Sequence, residues 1–260
     1  MEISTVLGIA LGLFTLIGGM ILKGASIGAL ANPAALVIIF VGTTAALLNA
    51  FPMKEFVKMG VMFKNLFAGV KVPTKEEIAR LFVSYASVVR KDGLLALENV
   101  RVEDPFMATG ISMVVDGSEP EDVEAVLESQ VEALGARHKL GAQLFAQGGM
   151  YAPTLGVMGA VIGLVAALSD LSDIEKLGHA ISAAFIATLF GIFTGYVMWH
   201  PFSNKLKQMN LTEMEIKRMI IEGITCLQAG QPPRVMQLKM LSYIPDKMKA
   251  ALLAEWEGAK

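Results

Sequence analysis

Four stretches of this chain carry no Asp, Glu, Lys or Arg: residues 3–22, 24–53, 140–169 and 177–204. That pattern limits the fold more than any motif does. An α-helix rises about 1.5 Å per residue, so about 20 apolar residues cross the roughly 30 Å of bilayer hydrocarbon. Each run is at least that long. Backbone polar groups in hydrocarbon must be satisfied within the segment, so the runs are read as four membrane-spanning helices. Composition agrees, with 54% hydrophobic residues and a mean hydropathy of +0.55. The expected fold is an all-α integral membrane protein. It has transmembrane helices 1 and 2 in residues 1–53, a large helical cytoplasmic domain in 54–139, transmembrane helices 3 and 4 in 140–204, and a cytoplasmic C-terminal tail in 205–260.

Residues 3–22 are read as a span rather than a cleaved signal. The chain starts Met1-Glu2 instead of with a positive region, and no clear small-x-small cleavage site precedes Lys23. Of the 22 basic residues, segment 54–139 holds 11 and the tail from 205 holds 9, while the two remaining connections carry only Lys23 and Lys176. By the positive-inside rule both termini and the large block face the cytoplasm. A net charge of -2 gives no support to nucleic-acid binding. A single cysteine, Cys226, cannot form an intrachain disulfide or a cysteine metal cluster.

Inside the block, Thr74 and Glu77 have capping-box spacing. Ile78, Leu81, Phe82, Tyr85 and Val89 then share one helical face, and Gly93 interrupts or ends the helix. The same grammar returns with Ser118, Pro120 and Glu121, followed by Val123, Val126, Leu127, Val131 and Leu134. This second helix leads straight into the third span, which allows the two to be continuous. A weaker helical pattern runs from Thr212 to Leu227, and "GQPPR" breaks it.

The four runs contain no carboxylate, and their two histidines, His179 and His200, lie at the ends of the fourth. Moving ions through hydrocarbon normally requires a carboxylate there, so this chain either conducts nothing or receives the carboxylate from another polypeptide. Small residues favour the second option. Ala152, Gly156, Gly159, Ala160, Gly163 and Ala167 make a smooth face on span three, and Ala180, Ala184, Ala187, Thr188, Gly191 and Gly195 repeat it on span four. Such faces let backbones approach closely, either between these two spans or against helices of a partner. Pro153 removes a backbone donor and leaves a carbonyl in need of another partner.

The segments "RKDGLLALE" (90–98), "APTLGVMGAVIGL" (152–164) and "AAFIATLFGIFTGYVMWHP" (183–201), set in the order two spans, block, two spans, resemble the MotA/PomA family of flagellar motor stator subunits over nearly the whole chain. The resemblance implies a non-enzymatic protein of the bacterial inner membrane, assembled as a ring of five around two single-span, peptidoglycan-binding MotB-type partners. The partner would supply the ion-binding Asp. By the same resemblance, spans three and four line the ion path and the partner helices through Pro153, Gly156, Ala160, Thr188, Gly191 and Pro201. Pro153 and Pro201 match prolines coupled to ion flow, and Thr188 matches a pore-facing threonine. Arg90 and Glu98 match loop charges that meet the rotor protein FliG. Sodium-driven relatives carry a threonine near the position of Ala160, so the methyl found here implies protons rather than sodium as the coupling ion, and no cofactor. The alternative is an ExbB/TolQ-type energiser, but that family has one span before its cytoplasmic block and this chain has two. An enzyme or small-molecule transporter lacks a polar constellation here, since Ser169, Asp170 and His179 are scattered around a short external turn.

Overall fold

The computed structural model describes residues 2–69, 72–169 and 174–258, and every regular element among them is helical. Helix α1 is Ile3–Leu22, and α2 is Pro33–Ala50. Asn32 caps α2 by accepting the Ala35 N–H, with Pro33 opening the first turn. Helix α3 spans Met59–Ala68. Helix α4, Lys75–Asp92, begins with the expected reciprocal Thr74–Glu77 box. It ends at Gly93, whose φ of 82° suits a residue without a Cβ. A short 3₁₀ helix, Leu94–Asn99, leads to α5, Pro105–Val115, capped by Asp104. The remaining helices are α6 (Pro120–Leu168), α7 (Ile174–Gln228), α8 (Pro233–Ser242) and α9 (Asp246–Gly258). Helices α1, α2, α6 and α7 are long and apolar enough to cross a membrane.

Span three is continuous with the helix before it, as the sequence allowed, whereas span four runs on past its expected end. Span three is the far part of one 49-residue helix that starts at Pro120, and span four opens a 55-residue helix that continues to Gln228. Neither junction ends its helix, and α7 continues through Pro201. Asp170 lies outside the described residues.

Two compact units result, one of Met1–Val70 with Arg137–Met209 and the other of Lys71–Ala136 with Asn210–Lys260. Residues 72–136 of the large block and the tail from 210, separate in sequence, therefore share one unit, whereas α3, expected in the same cytoplasmic block, belongs to the other. Its core joins Ile78, Phe82 and Tyr85 of α4, Val123, Leu127 and Val131 of α6, and Met219, Ile220 and Ile224 of α7, with Met236 and Met240 of α8. Leu81, Val89 and Leu134 of the predicted faces are half-buried, but Val126 is 41% exposed and does not belong to its helix's buried stripe. Lys217 pairs with the capping residue Asp104 at 2.9 Å, so one carboxylate both ends a loop and ties α5 to α7.

In the other unit, an aromatic cluster joins α3 to α6 and α7. Phe63 meets Phe145 at 5.0 Å and Phe202 at 5.8 Å, edge to face, and Phe145 lies 5.7 Å from Trp199. Leu47, Leu66 and Leu144 fill the space around these rings.

Candidate functional site

The two smooth faces meet each other. A Cβ placed on Gly156 would stand 2.8 Å from the Ala187 carbonyl oxygen and 3.0 Å from the Gly191 Cα. One on Gly191 would stand 2.7 Å from the Ala152 oxygen and 2.9 Å from the Gly156 Cα. The α6 and α7 backbones thus touch at these two glycines. Dispersion between closely approaching backbones is what holds helices together where no hydrophobic effect drives them. Gly156 and Gly191 are buried in that crossing, with the chain itself covering the face expected to lie open to partner helices.

What remains open lies beside the crossing. On α6, Met150, Val157, Val161 and Val165 are exposed, and on α7, Phe185 and Tyr196 are 73% and 64% exposed. No acidic side chain stands among these residues. Ala160 and Thr188 are half-buried. The Thr188 hydroxyl donates to the Ala184 carbonyl of its own helix at 3.2 Å, and the buried Thr194 hydroxyl donates to Phe190 at 2.7 Å. Both hydroxyls are therefore satisfied locally.

Toward Arg137 the seam continues through glycines that sequence reasoning passed over. Gly148 lies under the Trp199 ring and Gly149 under the His200 imidazole, so the doublet at 148–149 receives the ring doublet at 199–200. The signal was present as two adjacent glycines in one span and two adjacent rings in its neighbour. Pro153 is half-buried and bears on Gly195 of α7.

Pro201 is exposed and lines a cleft of about 150 Å³ with Ser4, Thr5, Val197 and Lys205. The Lys205 ammonium donates to Glu2, Ser4 and Thr5 at 2.6, 2.9 and 2.6 Å, using all three of its protons. Lys205 holds the Glu2 carboxyl below the usual carboxylate range, through the hydrogen bond first and its charge second. This clamp joins the start of α1 to α7 just beyond Pro201, a role that neither residue's sequence context reveals.

Arg90 and Glu98 belong to the other unit and are both exposed. Arg90 sits in the last turn of α4, Glu98 in the 3₁₀ helix after Gly93, with Leu95 between them 68% exposed. They lie on two different elements rather than on one helical face.

The MotA/TolQ/ExbB proton channel family matches residues 98–219. Motility protein A of Bacillus subtilis (strain 168) is 49% identical, with 100% of this chain and 98% of that protein aligned. Chemotaxis protein PomA of Vibrio alginolyticus is 31% identical over 98% of this chain and 100% of its own length. The solved structure of the flagellar MotAB stator complex from Bacillus subtilis contains a chain that superposes with a TM-score of 0.90 at 49% identity, covering 95% of this chain and 97% of that one.

Proposed function

Because this chain belongs to the motility protein A group of the MotA/TolQ/ExbB proton channel family, we propose that it is a flagellar stator subunit which, with a MotB-type partner, couples ion-motive force to torque on the rotor. The observation that carries this reading is the match along the whole chain to Motility protein A, at 49% identity. It is supported by an open α6–α7 face that has no carboxylate of its own.

The role is non-enzymatic. Five copies surround two partner helices in the bacterial inner membrane, with both termini cytoplasmic, a reading the distribution of basic residues supports. The partner brings the Asp, which meets the open face of α6 and α7 with Ala160 and Thr188 at its edge. Gly156 and Gly191 hold the wall together behind that face, and Pro153 and Pro201 are the prolines coupled to ion flow. Sodium must be met by several oxygen ligands, whereas a proton needs only the carboxylate and a water chain. Ala160 offers a methyl and no oxygen ligand, which supports protons as the coupling ion.

The test is reconstitution into liposomes in sodium-free buffer, with a pH-sensitive dye inside and a potassium diffusion potential outside. Proton uptake is expected with the partner present and none above empty liposomes with this chain alone. Specific uptake by the purified chain without a partner, or uptake with the partner only after sodium is added, would overturn the proposal in its first or second part.

Rotor contact falls to Arg90 and Glu98 in this reading. Exposed charge pairs contribute about 0–1 kcal/mol each, so neutralising one should slow swarming mildly. Arg90→Glu, which turns attraction into repulsion, should cut it severalfold while membrane accumulation and partner co-purification stay unchanged. A compensating charge reversal on the rotor should restore part of the speed. Loss of the protein from the membrane would instead assign Arg90 to folding.

A further inference from the structure

Two irregularities face each other across the α6–α7 seam. Pro153 interrupts α6, and because proline has no N–H, the Gly149 carbonyl four residues earlier loses its donor within the helix. Opposite it, α7 leaves α geometry and widens into a π turn over Thr194–Trp199. Gly195, buried, is the second residue of that turn. A Cβ there would stand 2.7 Å from Pro153 Cγ, 3.0 Å from Pro153 Cδ and 3.0 Å from the Gly149 oxygen. The proline ring and the carbonyl that it released are therefore seated together on one bare Cα, whose C–H is the group facing that oxygen. At the entrance to the turn, the Thr194 hydroxyl donates to the Phe190 carbonyl at 2.7 Å, with the Gly191 carbonyl 3.2 Å away, holding the widened backbone. At its end, the register brings Trp199, the last residue of the turn, and His200 onto Gly148 and Gly149.

The other neighbour of this stretch is built alike. Helix α2 also contains a π turn, Val37–Val41. A Cβ on Gly42, the next residue, would stand 3.2 Å from Leu155 Cδ1, and one on Gly159 would stand 3.5 Å from Ile38 Cδ1. Residues 153–159 of α6 thus lie between two helices that each carry one surplus residue. A π turn costs hydrogen-bond geometry and persists where it is used, most often at functional sites. Its surplus residue can pass along a helix one bond at a time, turning the segment below without bending the whole.

Resting on the stator reading above, we propose that Gly195 and its π turn are a positioning element for the ion-driven movement. Pro153 bears on Gly195, and displacement of α6 at the proline passes to α7 as a shift of the surplus residue, turning the stretch that carries Pro201 and Lys205. The glycine is needed because only a bare Cα admits both the ring and the carbonyl.

The experiment compares the wild-type chain with Gly195→Ala, each reconstituted with the partner. Wild-type proton flux establishes the stator reading independently of this one. Gly195→Ala is expected to co-purify with the partner but to lose at least tenfold in flux, and its peptides covering 190–200 should lose the difference in amide hydrogen exchange between energised and de-energised proteoliposomes that the wild type shows. If Gly195→Ala loses flux while those peptides respond to energisation as in the wild type, the added methyl merely crowds the crossing, and the proposal falls. It also falls if Gly195→Ala conducts within twofold of wild type. Should Gly195→Ala fail to assemble, amide hydrogen exchange in the wild-type complex decides. Peptides covering 190–200 should exchange at least twofold faster in energised than in de-energised proteoliposomes, and equal exchange overturns the idea.

Discussion

Replacing Gly191 by Val is expected to abolish motility outright and to reduce the amount of chain held in the membrane. The first added atom would stand 2.7 Å from the Ala152 carbonyl oxygen and 2.9 Å from the Gly156 Cα. Both obstacles are backbone, so no rotamer change makes room. Overpacking a core usually costs about 1–3 kcal/mol, and a site closed by rigid backbone lies at the upper end or above. The crossing also has no hydrophobic effect to hold it if the helices are forced apart. The expected effect is graded along the seam. Gly163→Ala, whose methyl would sit 3.8 Å from the nearest atom, should be silent, and Gly159→Ala, at 3.3 Å from the Ala187 methyl, should be mild. Gly18, with nothing within 4 Å in the chain, is the control for span one. Membrane accumulation, partner co-purification and swarm diameter measure the series. A Gly191→Val strain that swims normally would mean that the two spans do not cross at these glycines.

The second large effect is expected from Phe82→Ala. Phe82 is fully buried in the unit formed by the block and the tail. Its ring takes the place a Cβ on Gly223 would occupy, 2.5 Å from ring Cδ1, and meets Tyr85 edge to face at 6.1 Å. Truncating such a phenylalanine costs about 3–5 kcal/mol, against a typical total stability of about 5–15 kcal/mol for a domain. That cost is enough to open the unit while the spans, stabilised separately by the bilayer, remain inserted. Limited proteolysis of the full chain in nanodiscs should cut between 75 and 136 at least tenfold faster in the variant, leaving the membrane-embedded fragments intact. Unchanged cleavage kinetics would show that α4 and α7 are not held through this ring.

How far these features could be read in advance depends on the range of the interactions behind them. The four spans, the Thr74–Glu77 cap, the stop at Gly93 and the absence of an intramembrane carboxylate are properties of short stretches. Burial in lipid, capping and the conformational freedom of glycine act within a few residues, so sequence alone settles them. Family membership was legible for a similar reason, since it rested on three quoted segments in a fixed order. Tertiary structure decided the partners of each face. Small residues at 156 and 191 fit either a neighbouring span or a partner helix, and only the crossing assigned them to each other. Helix length at the membrane edge was decided in the same way, because α6 and α7 run on where their polar stretches find a shared core. Val126 has the right spacing for a buried stripe, yet its flank of the helix was left without a neighbour. The π turns, the seat of Pro153 on Gly195 and the Lys205 clamp on Glu2 join residues up to 203 positions apart. Such contacts depend on which backbones approach within 3 Å, and no local pattern in the chain encodes that distance.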